Sequence, residues 1–437
     1  MLQLGCVLGS EGAMEDQPEL CRLPEELRAA SVSIGAQLAS KGARVWVVGG
    51  AVRDQVLRRV PTDVDLATDA TPDTVEACFD ETVPVGKKFE TVLVMRGRLG
   101  IEVTTLRAES GYEDARRPKD VKFETSVEAD ASRRDFSCNA MYLDTQTDEF
   151  LDPVQGLADC RGRKLRAVGD PAARFGEDGL RILRLARLSA ALEMRPDEAT
   201  VAGARASRAS LRGVSGERLL TELERGFGCG AGDVMLHWLA ELGVGPELYP
   251  DSDDDATARA AALFAAWPEQ AGLLEGLLLL LDPSPAGGGS VARRERWESA
   301  LRGLDKLRPP RQLKKAWSSA WRLAEEIESA DLSSLELGEL RLWMREEHWG
   351  PASALTMLSA NTDSVLGAQV ASWRAEREEL SRDELFPAPW IGAAELGEAG
   401  FEPGAIYGEL IRQGLRLQLG GVFSSKQDAL AWLAEQT

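Results

Sequence analysis

Histidine is scarce in this 437-residue chain, where His237 and His348 are the only two. The six cysteines are scattered, and no two of them form a CxxC pair. Cysteine and histidine therefore do not supply the closely spaced ligands that a zinc site requires. Any acid–base or metal chemistry must rest on carboxylates, and unpaired cysteines are typical of the reducing cytosol.

Long hydrophobic runs are also lacking. The longest apolar stretch, residues 273–281, is interrupted by Glu275 and Gly276 and falls far short of the ~20 residues that span a bilayer. The N-terminus has no basic segment leading into an apolar run, so a secretory signal is not indicated. We expect a cytoplasmic protein without a membrane partner.

Basic residues are fewer than acidic residues. The chain has 51 Lys and Arg and 71 Asp and Glu, which gives a formal net charge of -20. Such a balance argues at first against nucleic acid as a partner. The basic residues are clustered, however, within residues 107–122, 161–187, 205–218 and 293–315. Because the distribution of charge decides nucleic-acid binding, a basic face on an acidic body stays open.

The secondary-structure signals divide the chain into an α/β head and a helical remainder. The first elements are predicted as a strand at Val45–Val48, a helix at Ala51–Arg58, and β-branched strands at Val83–Val94 and Ile101–Thr105. Beyond Pro171 the helical period dominates, with breaks at residues 249–255 and 282–289. These breaks predict three helical segments after the head.

A glycine pair, Gly49-Gly50, ends the first predicted strand. Two glycines between a strand and a helix let the backbone approach a phosphate closely, and the helix offers free N–H groups. Arg53, one turn into the helix, can add a bidentate phosphate contact. Such turns are also common as plain connections, so this motif alone leaves both interpretations open.

Two aspartates follow in Asp63-Val64-Asp65. Residues two apart in a strand point the same way, so Asp63 and Asp65 would present two carboxylates side by side, as Mg²⁺ favours. Glu102 should face away from the core of its β-branched strand, toward the same surface, and can complete a two-metal site. The alternatives are a polar turn with capping aspartates and an exposed strand glutamate.

A helix with one broad apolar side is predicted over residues 177–187. Its polar positions recur every three residues, at Asp178, Arg181, Arg184 and Arg187. Taken alone, this stripe fits a salt-bridged face toward solvent.

Five segments, in this order and spacing, resemble the head of class II tRNA nucleotidyltransferases and bacterial poly(A) polymerases. They are Gly-Gly-Ala-Val-Arg-Asp at 49–54, Asp-Val-Asp-Leu-Ala-Thr at 63–68, Glu-Val-Thr-Thr-Leu-Arg at 102–107, Arg-Arg-Asp-Phe-Ser-Cys-Asn-Ala at 133–140 and Arg-Phe-Gly-Glu-Asp-Gly-Leu-Arg at 174–181. The resemblance implies an α+β fold: a polymerase-beta-like, mixed-sheet head followed by an all-helical neck, body and tail. We expect a flexible N-terminus at 1–20, the head at 21–145, the neck at 146–228, the body at 229–385 and the tRNA-binding tail at 386–437.

The resemblance also implies roles for individual residues. Asp63 and Asp65 would hold two Mg²⁺ ions, with Glu102 as the third catalytic carboxylate. Nucleotide binding would fall to Gly49, Gly50, Arg53, Arg134, Asp135, Asn139, Asp178, Arg181, Arg184 and Arg187. Within this set Arg134 would contact the nucleotide, Asp135 and Asn139 the ribose, Asp178 and Arg181 the base, and Arg184 and Arg187 would continue toward the triphosphate.

Hydrogen-bond chemistry supports the role of Asp178 and Arg181. Cytosine and adenine both present an amino donor beside a ring-nitrogen acceptor, which matches an Asp acceptor beside an Arg donor. Uracil and guanine present the reverse order and would leave buried polar groups unpaired, at about 1–3 kcal/mol each. A protein helix can therefore accept CTP and ATP and reject UTP and GTP.

Residues 108–118 combine Gly, Pro and dense charge, which predicts a mobile surface loop. The segment is similar to the flexible loop, here 108–122, that in relatives helps change the site from C addition to A addition. Arg117 stands where a histidine is common, and a charged hairpin is the alternative.

We expect a template-independent tRNA 3'-end nucleotidyltransferase, monomeric or weakly dimeric, that adds C and/or A from CTP and ATP and releases pyrophosphate. A poly(A) polymerase is the nearest alternative. A non-catalytic RNA-binding protein is the alternative of another class, against which the intact Asp63 and Asp65 argue.

Overall fold

The computed structural model describes residues 17–84, 91–114, 117–123, 126–249, 254–265, 272–282, 293–360 and 364–436. The chain divides into two compact units, Met1–Glu222 with Leu242–Glu247, and Leu223–Glu241 with Leu248–Thr437. No helix within the described ranges has the length and apolar character needed to cross a membrane.

The strands in chain order are β1 Val45–Val48, β2 Asp65–Thr68, β3 Thr82–Pro84, β4 Thr91–Arg96, β5 Leu99–Thr105, β6 Arg107–Asp114, β7 Arg117–Phe123, β8 Tyr142–Asp144, β9 Phe150–Leu151, β10 Lys164–Leu165 and β11 Arg195–Pro196. The helices to residue 248 are α1 Glu25–Ala39, α2 Gly50–Val56, α3 Pro72–Cys78, α4 Val127–Ser132, α5 Gly156–Arg161, α6 Pro171–Glu177, α7 Leu180–Leu192, α8 Glu198–Ala206, α9 Gly216–Phe227, α10 Gly232–Glu241 and α11 Gly245–Leu248. Short 3-10 helices lie at Leu20–Arg22, Ser137–Asn139 and Arg208–Gly213.

The remaining helices are α12 Asp254–Ala265, α13 Leu273–Leu280, α14 Arg293–Lys306, α15 Arg311–Ser329, α16 Leu337–Arg345, α17 Trp349–Ala360, α18 Val365–Glu379, α19 Arg382–Leu385, α20 Ala393–Glu398, α21 Ala405–Leu419 and α22 Lys426–Ala434. In these described ranges the predicted helical character of the second half of the chain is confirmed.

One mixed sheet forms the centre of the first unit, in the order β3-β4-β5-β2-β1-β8-β9. Strand β2 runs parallel to β5, and the other neighbours are antiparallel. All four residues of β1 are buried, which explains why its sequence is a continuous apolar run. The predicted mixed-sheet head is confirmed, and its pairing continues to Leu151, past residue 145.

Several predicted boundaries change. The strand predicted at Val83–Val94 is two strands, β3 and β4, with residues 85–90 outside the described part. Helix α2 ends two residues earlier than predicted, at Val56, and Arg58 then takes a left-handed backbone with φ 58°. The breaks predicted at 249–255 and 282–289 lie largely outside the described residues.

Most of the N-terminus that we predicted to be flexible, residues 1–16, lies outside the described residues. Its last residues are fixed to the first unit. The backbone N–H of Glu19 donates to Gln55 at 3.0 Å, and that of Leu20 donates to Asp148 at 2.9 Å.

The prediction of a loop at residues 108–118 is wrong. Strands β6 and β7 form a separate two-stranded antiparallel sheet, whose register runs from Arg107 opposite Phe123 to Asp114 opposite Arg117. Cross-strand pairing satisfies the backbone groups of this segment, which its charged composition did not indicate. The backbone of the segment is therefore a hairpin, and its likeness to the flexible loop of relatives stays a prediction.

The continuous helix predicted over residues 177–187 is also wrong. Helix α6 ends at Glu177, Asp178 has extended backbone angles, and α7 begins at Leu180. The side chain of Asp178 accepts from the N–H of Leu180, the first residue of the new helix, at 3.1 Å. Asp178 thus precedes the helix that carries Arg181, and only the three arginines of the predicted stripe lie on α7.

The second unit contains stacked tryptophans in its core. Trp317 and Trp321 of α15 stack with ring centroids 5.0 Å apart, and Trp297 of α14 lies 5.3 Å from Trp317. A separate apolar cluster in the tail includes Ile391, Leu396, Leu410, Phe423 and Leu433. The basic stretch at 293–315 therefore belongs to helices anchored by tryptophan packing.

Gly179→Ala should lower the free energy of unfolding by about 1–3 kcal/mol, the usual cost of overpacking. A Cβ at residue 179 would lie 2.5 Å from the backbone carbon of Ser210. The matched control is Gly176→Ala, because an added Cβ there meets no atom within 4 Å. It should leave stability equal or raise it by up to about 1 kcal/mol. Urea unfolding of both variants checks this, and equal midpoints would contradict it.

Candidate active site

The turn after β1 leaves a small space between a carboxylate and a guanidinium. Gly49, the N-cap of α2, has φ 76°, a region that favours glycine. An ideal Cβ on Gly49 would lie 3.9 Å from Oδ2 of Asp65 and 4.0 Å from Nη1 of Arg134. Three of the predicted site residues therefore surround one point, and Gly50 begins α2 beside it.

The carboxylates are arranged partly as predicted. Asp65 is the first residue of β2, whereas Asp63 precedes the strand, so the prediction that both share one strand is wrong. The parallel register of β2 and β5 places Asp65 opposite Glu102. Glu102 is exposed while Ile101 and Val103 are buried, which confirms that Glu102 faces away from the core.

The environment of Asp65 disfavours its charge. Although water reaches its side chain, the surrounding protein removes part of its hydration. This desolvation and the negative charges of Glu102 and Asp63 raise the pKa of Asp65 to about 6, against the opposing charge of Arg134. Carboxylates that repel one another in this way are stabilised by a bound cation.

The donor set fits a hard divalent cation. Within the described residues no three His, Cys, Asp or Glu side chains are grouped as a complete ligand set. Asp65 and Glu102 nevertheless lie side by side on paired strands, and Asp63 is near enough to influence the pKa of Asp65. Oxygen ligands of this kind suit Mg²⁺, which usually binds one or two carboxylates and keeps several waters.

Arg134 is held by a buried carboxylate and an aromatic ring. Its Nε donates to Asp130 at 3.0 Å and to the hydroxyl of Tyr142 at 2.9 Å. The guanidinium carbon lies 5.1 Å from the centroid of the Tyr142 ring, a cation–π arrangement. The interactions with Tyr142 and Asp130 outweigh desolvation and raise the pKa of Arg134, so the residue stays charged.

A chain of hydrogen bonds connects α2 to α7. Arg53 donates to the side-chain oxygen of Asn139 at 2.8 Å, and Asn139 donates to Asp135 at 3.2 Å. The other oxygen of Asp135 accepts two bonds from Arg184, at 2.8 and 2.6 Å. Arg53 is also paired with Asp54 at 2.8 Å. The structure therefore brings together the predicted residues Arg53, Asn139, Asp135 and Arg184.

Asp135 remains ionised despite its burial. Desolvation alone would raise the pKa of Asp135, but the charge of Arg184 and the hydrogen bonds from Arg184 and Asn139 hold it well below its usual range.

The chain continues to α9 through Glu222. This buried carboxylate accepts from Nε of Arg187 at 2.6 Å and lies 3.5 Å from Nη1 of Arg184. Both arginines predicted to point toward the triphosphate are thus oriented by carboxylates of the protein.

The two residues predicted to read the base have separate protein partners. Asp178 accepts from Arg218 of α9 at 2.6 and 3.3 Å. Arg181 donates to Glu177 at 2.7 Å and to the backbone carbonyl of Arg133 at 3.1 Å. Each side chain is therefore fixed independently of the other.

Two residues that hold the site were not predicted from the sequence: Asp130 and Tyr142. Asp130 stands four residues before Arg134, a spacing that favours an ion pair at the end of a helix. Arg218 and Glu222 lie four residues apart in α9, and they bind the predicted site residues Asp178 and Arg187, respectively. No local signal pointed to Tyr142.

Asp135→Asn should lower the free energy of unfolding at pH 7 by about 3–5 kcal/mol, because the charge of Arg184 loses its buried partner. Because the pKa of Asp135 is depressed in the folded protein, its charge contributes to the free energy of unfolding. This contribution is complete above about pH 4 and is lost as the pH falls further. The difference in the free energy of unfolding between the variant and wild type should therefore become smaller below about pH 4. Urea unfolding at several pH values measures it, and a difference independent of pH would contradict the assignment.

Residues 45–166 match the family model described as the poly A polymerase head domain. The CCA-adding enzyme of Bacillus pumilus is 45% identical over 188 residues, covering 43% of this chain and 47% of that protein. The CCA-adding enzyme of Streptococcus uberis is 39% identical over 209 residues, covering 48% and 51%. The matched region thus spans about half the length of these curated relatives.

Solved structures match over nearly the whole chain. The Bacillus stearothermophilus CCA-adding enzyme in complex with CTP has a TM-score of 0.62 and 25% identity, covering 95% of this chain and 98% of that one. The Thermotoga maritima CCA-adding enzyme complexed with tRNA has a TM-score of 0.69 and 18% identity, covering 96% and 98%. The resemblance given by the motifs is confirmed: residues 45–166 match the poly A polymerase head domain, and the chain has the fold of CCA-adding enzymes.

Proposed function

We propose that this protein is a tRNA 3'-end nucleotidyltransferase that adds C and/or A from CTP and ATP and releases pyrophosphate. The observation that carries the proposal is the convergence of Gly49, Asp65 and Arg134 on one space, with Glu102 paired beside Asp65. The same fold occurs in CCA-adding enzymes solved with CTP and with ATP. The compartment we propose is the cytoplasm.

The reaction we propose is an in-line attack of the tRNA 3'-hydroxyl on the α-phosphate, without a covalent enzyme intermediate. Asp63, Asp65 and Glu102 would hold two Mg²⁺ ions. Ions bound there supply activation of the attacking oxygen and stabilisation of the leaving oxygen. Arg134 would bind the nucleotide phosphates, because its guanidinium borders the space at Gly49 and stays charged.

Asp135 and Asn139 would bind the ribose, since both lie in the hydrogen-bond chain between α2 and α7. Asp178 and Arg181 would select the base through the acceptor and donor order that cytosine and adenine share. Arg184 and Arg187, which are oriented by Asp135 and Glu222, would complete the nucleotide site.

Poly(A) synthesis is the second candidate, because the family model that matches residues 45–166 is named for poly(A) polymerases. The two activities diverge once the first A has been added. A CCA-adding enzyme stops at a completed CCA end, whereas a poly(A) polymerase continues.

The assay uses tRNAs that lack the whole CCA end, carry the first C, or carry both C residues, each with labelled CTP or ATP. A CCA-adding enzyme should extend all three and stop at CCA. ATP incorporation into the last substrate only, without CTP incorporation, would identify an enzyme that adds only A. CTP incorporation without ATP incorporation would identify one that adds only CC.

The variant that tests the site in this assay is Asp65→Asn. It should reduce incorporation at least about 1,000-fold, because two-metal chemistry depends on each carboxylate ligand. The matched control is Asp69→Asn, one residue beyond the far end of β2, which should retain activity. Extended A tails on all substrates would favour the poly(A) polymerase. An inactive wild type that still binds tRNA would favour the non-catalytic RNA-binding protein.

Reversing the base-reading pair with Asp178→Arg and Arg181→Asp should raise the use of UTP and GTP relative to CTP and ATP. The reversal also places like charges against Arg218 and Glu177, the present partners of the pair. A second variant therefore adds Arg218→Asp and Glu177→Arg to restore both ion pairs. Unchanged nucleotide preference in an active variant would remove the pair from base selection.

A further inference from the structure

Asp130 is a buried carboxylate that accepts hydrogen bonds from three side chains. It lies in α4, and its side chain is 1% exposed. One oxygen accepts from Arg133, at 2.9 Å from Nε, and the other accepts from Arg134 and from the hydroxyl of Tyr142 at 2.7 Å. One negative charge thus binds two guanidinium groups and one phenol.

The first consequence concerns Arg134. Its guanidinium is bound on one side by Asp130 and rests against the ring of Tyr142, while Nη1 donates to the backbone carbonyl of Asn139 at 3.3 Å. These contacts aim the group at the space over Gly49 that Asp65 also borders.

The second consequence concerns Arg133. Its side chain is bound by Asp130, and its backbone carbonyl accepts from Arg181 at 3.1 Å and from Arg174 at 3.4 Å. The carbonyl that anchors Arg181 therefore belongs to a residue whose side chain Asp130 fixes. Asp130 therefore contacts Arg134, which borders the space at Gly49, and Arg133, whose carbonyl anchors Arg181.

We propose that Asp130 is a positioning residue of the transferase reaction, which sets the Arg134 guanidinium beside Asp65 and, through Arg133, the support of Arg181. The inference rests on the proposed function. Asp130 touches neither substrate nor metal, and its effect passes through the two arginines. Loss of its charge should affect nucleotide affinity, catalytic rate and base selection together.

The test compares Asp130→Asn with Tyr142→Phe and with a matched control, Asp144→Asn. Asp130→Asn keeps the side-chain volume and removes the charge, and Tyr142→Phe removes only the hydroxyl that binds Asp130 and Arg134. Asp144 is also a buried carboxylate bound to an arginine, with Arg44 at 3.0 Å. It lies two residues beyond Tyr142 on β8, opposite Trp46, whereas Asp65 lies opposite Val48 at the other end of β1.

All variants are assayed for C and A incorporation into tRNA at a temperature where circular dichroism shows them folded, and for CTP binding by calorimetry. Asp130→Asn should lower kcat/KM by about 10- to 100-fold, the scale of a misplaced catalytic group, with a higher KM for CTP and weaker CTP binding. Its preference for CTP over UTP should also fall. Tyr142→Phe should show a smaller loss of the same kind, and Asp144→Asn should stay near wild type.

A purely structural role predicts a different result. Activity would then fall in proportion to the unfolded fraction, while KM, CTP affinity and the CTP-to-UTP preference of the folded protein would not change. That result, or normal kinetics in folded Asp130→Asn, would overturn the inference while leaving the proposed function intact. A wild type that incorporates no nucleotide would overturn the proposed function and this inference with it.

Discussion

Buried carboxylates hold the arginines of this site. Asp130 binds Arg133 and Arg134, and Asp135 binds Arg184. Burying such pairs costs desolvation that their mutual attraction barely repays, so they are poor sources of stability. What they provide is position, since a guanidinium fork bound at one end can present its other N–H groups in a defined direction. The carboxylates thus fix the directions of Arg133, Arg134 and Arg184 within the protein itself.

Three consecutive residues, Arg133, Arg134 and Asp135, contact three different parts of the site. The carbonyl of Arg133 anchors Arg181, the guanidinium of Arg134 borders the space at Gly49, and Asp135 binds Arg184. The segment lies between α4 and the 3-10 helix Ser137–Asn139, where the backbone follows no regular period. An irregular backbone lets three successive side chains take three unrelated directions, whereas a strand would send the first and the third to the same face. Its position explains how one short motif connects Arg181, the space at Gly49 and Arg184.

The sequence predicts best what depends on periodicity. Burial of β1 and the outward face of Glu102 followed from apolar and β-branched patterns, and both are correct. Errors occur where distant contacts decide. At the break between α6 and α7, the backbone of Gly179 packs closely against that of Ser210, 31 residues further along the chain. The pairing of Asp178 with Arg218 likewise depends on the packing of α9 rather than on any local pattern.

Those distant partners constrain how a base could be read. Oδ1 of Asp178 accepts from both Arg218 and the N–H of Leu180, whereas among the described residues Oδ2 accepts only from Arg218, so its second lone pair can still accept from an amino group. Arg181 donates to the carbonyls of Arg174 and Arg133 and to Glu177, and a guanidinium has further N–H groups for a ring nitrogen. Under the proposed role, the pair therefore need not release its protein partners to bind a base. Selection would then use side chains already held in place, which lowers the entropic cost of binding and makes a mismatched base leave unpaired groups that cannot move aside.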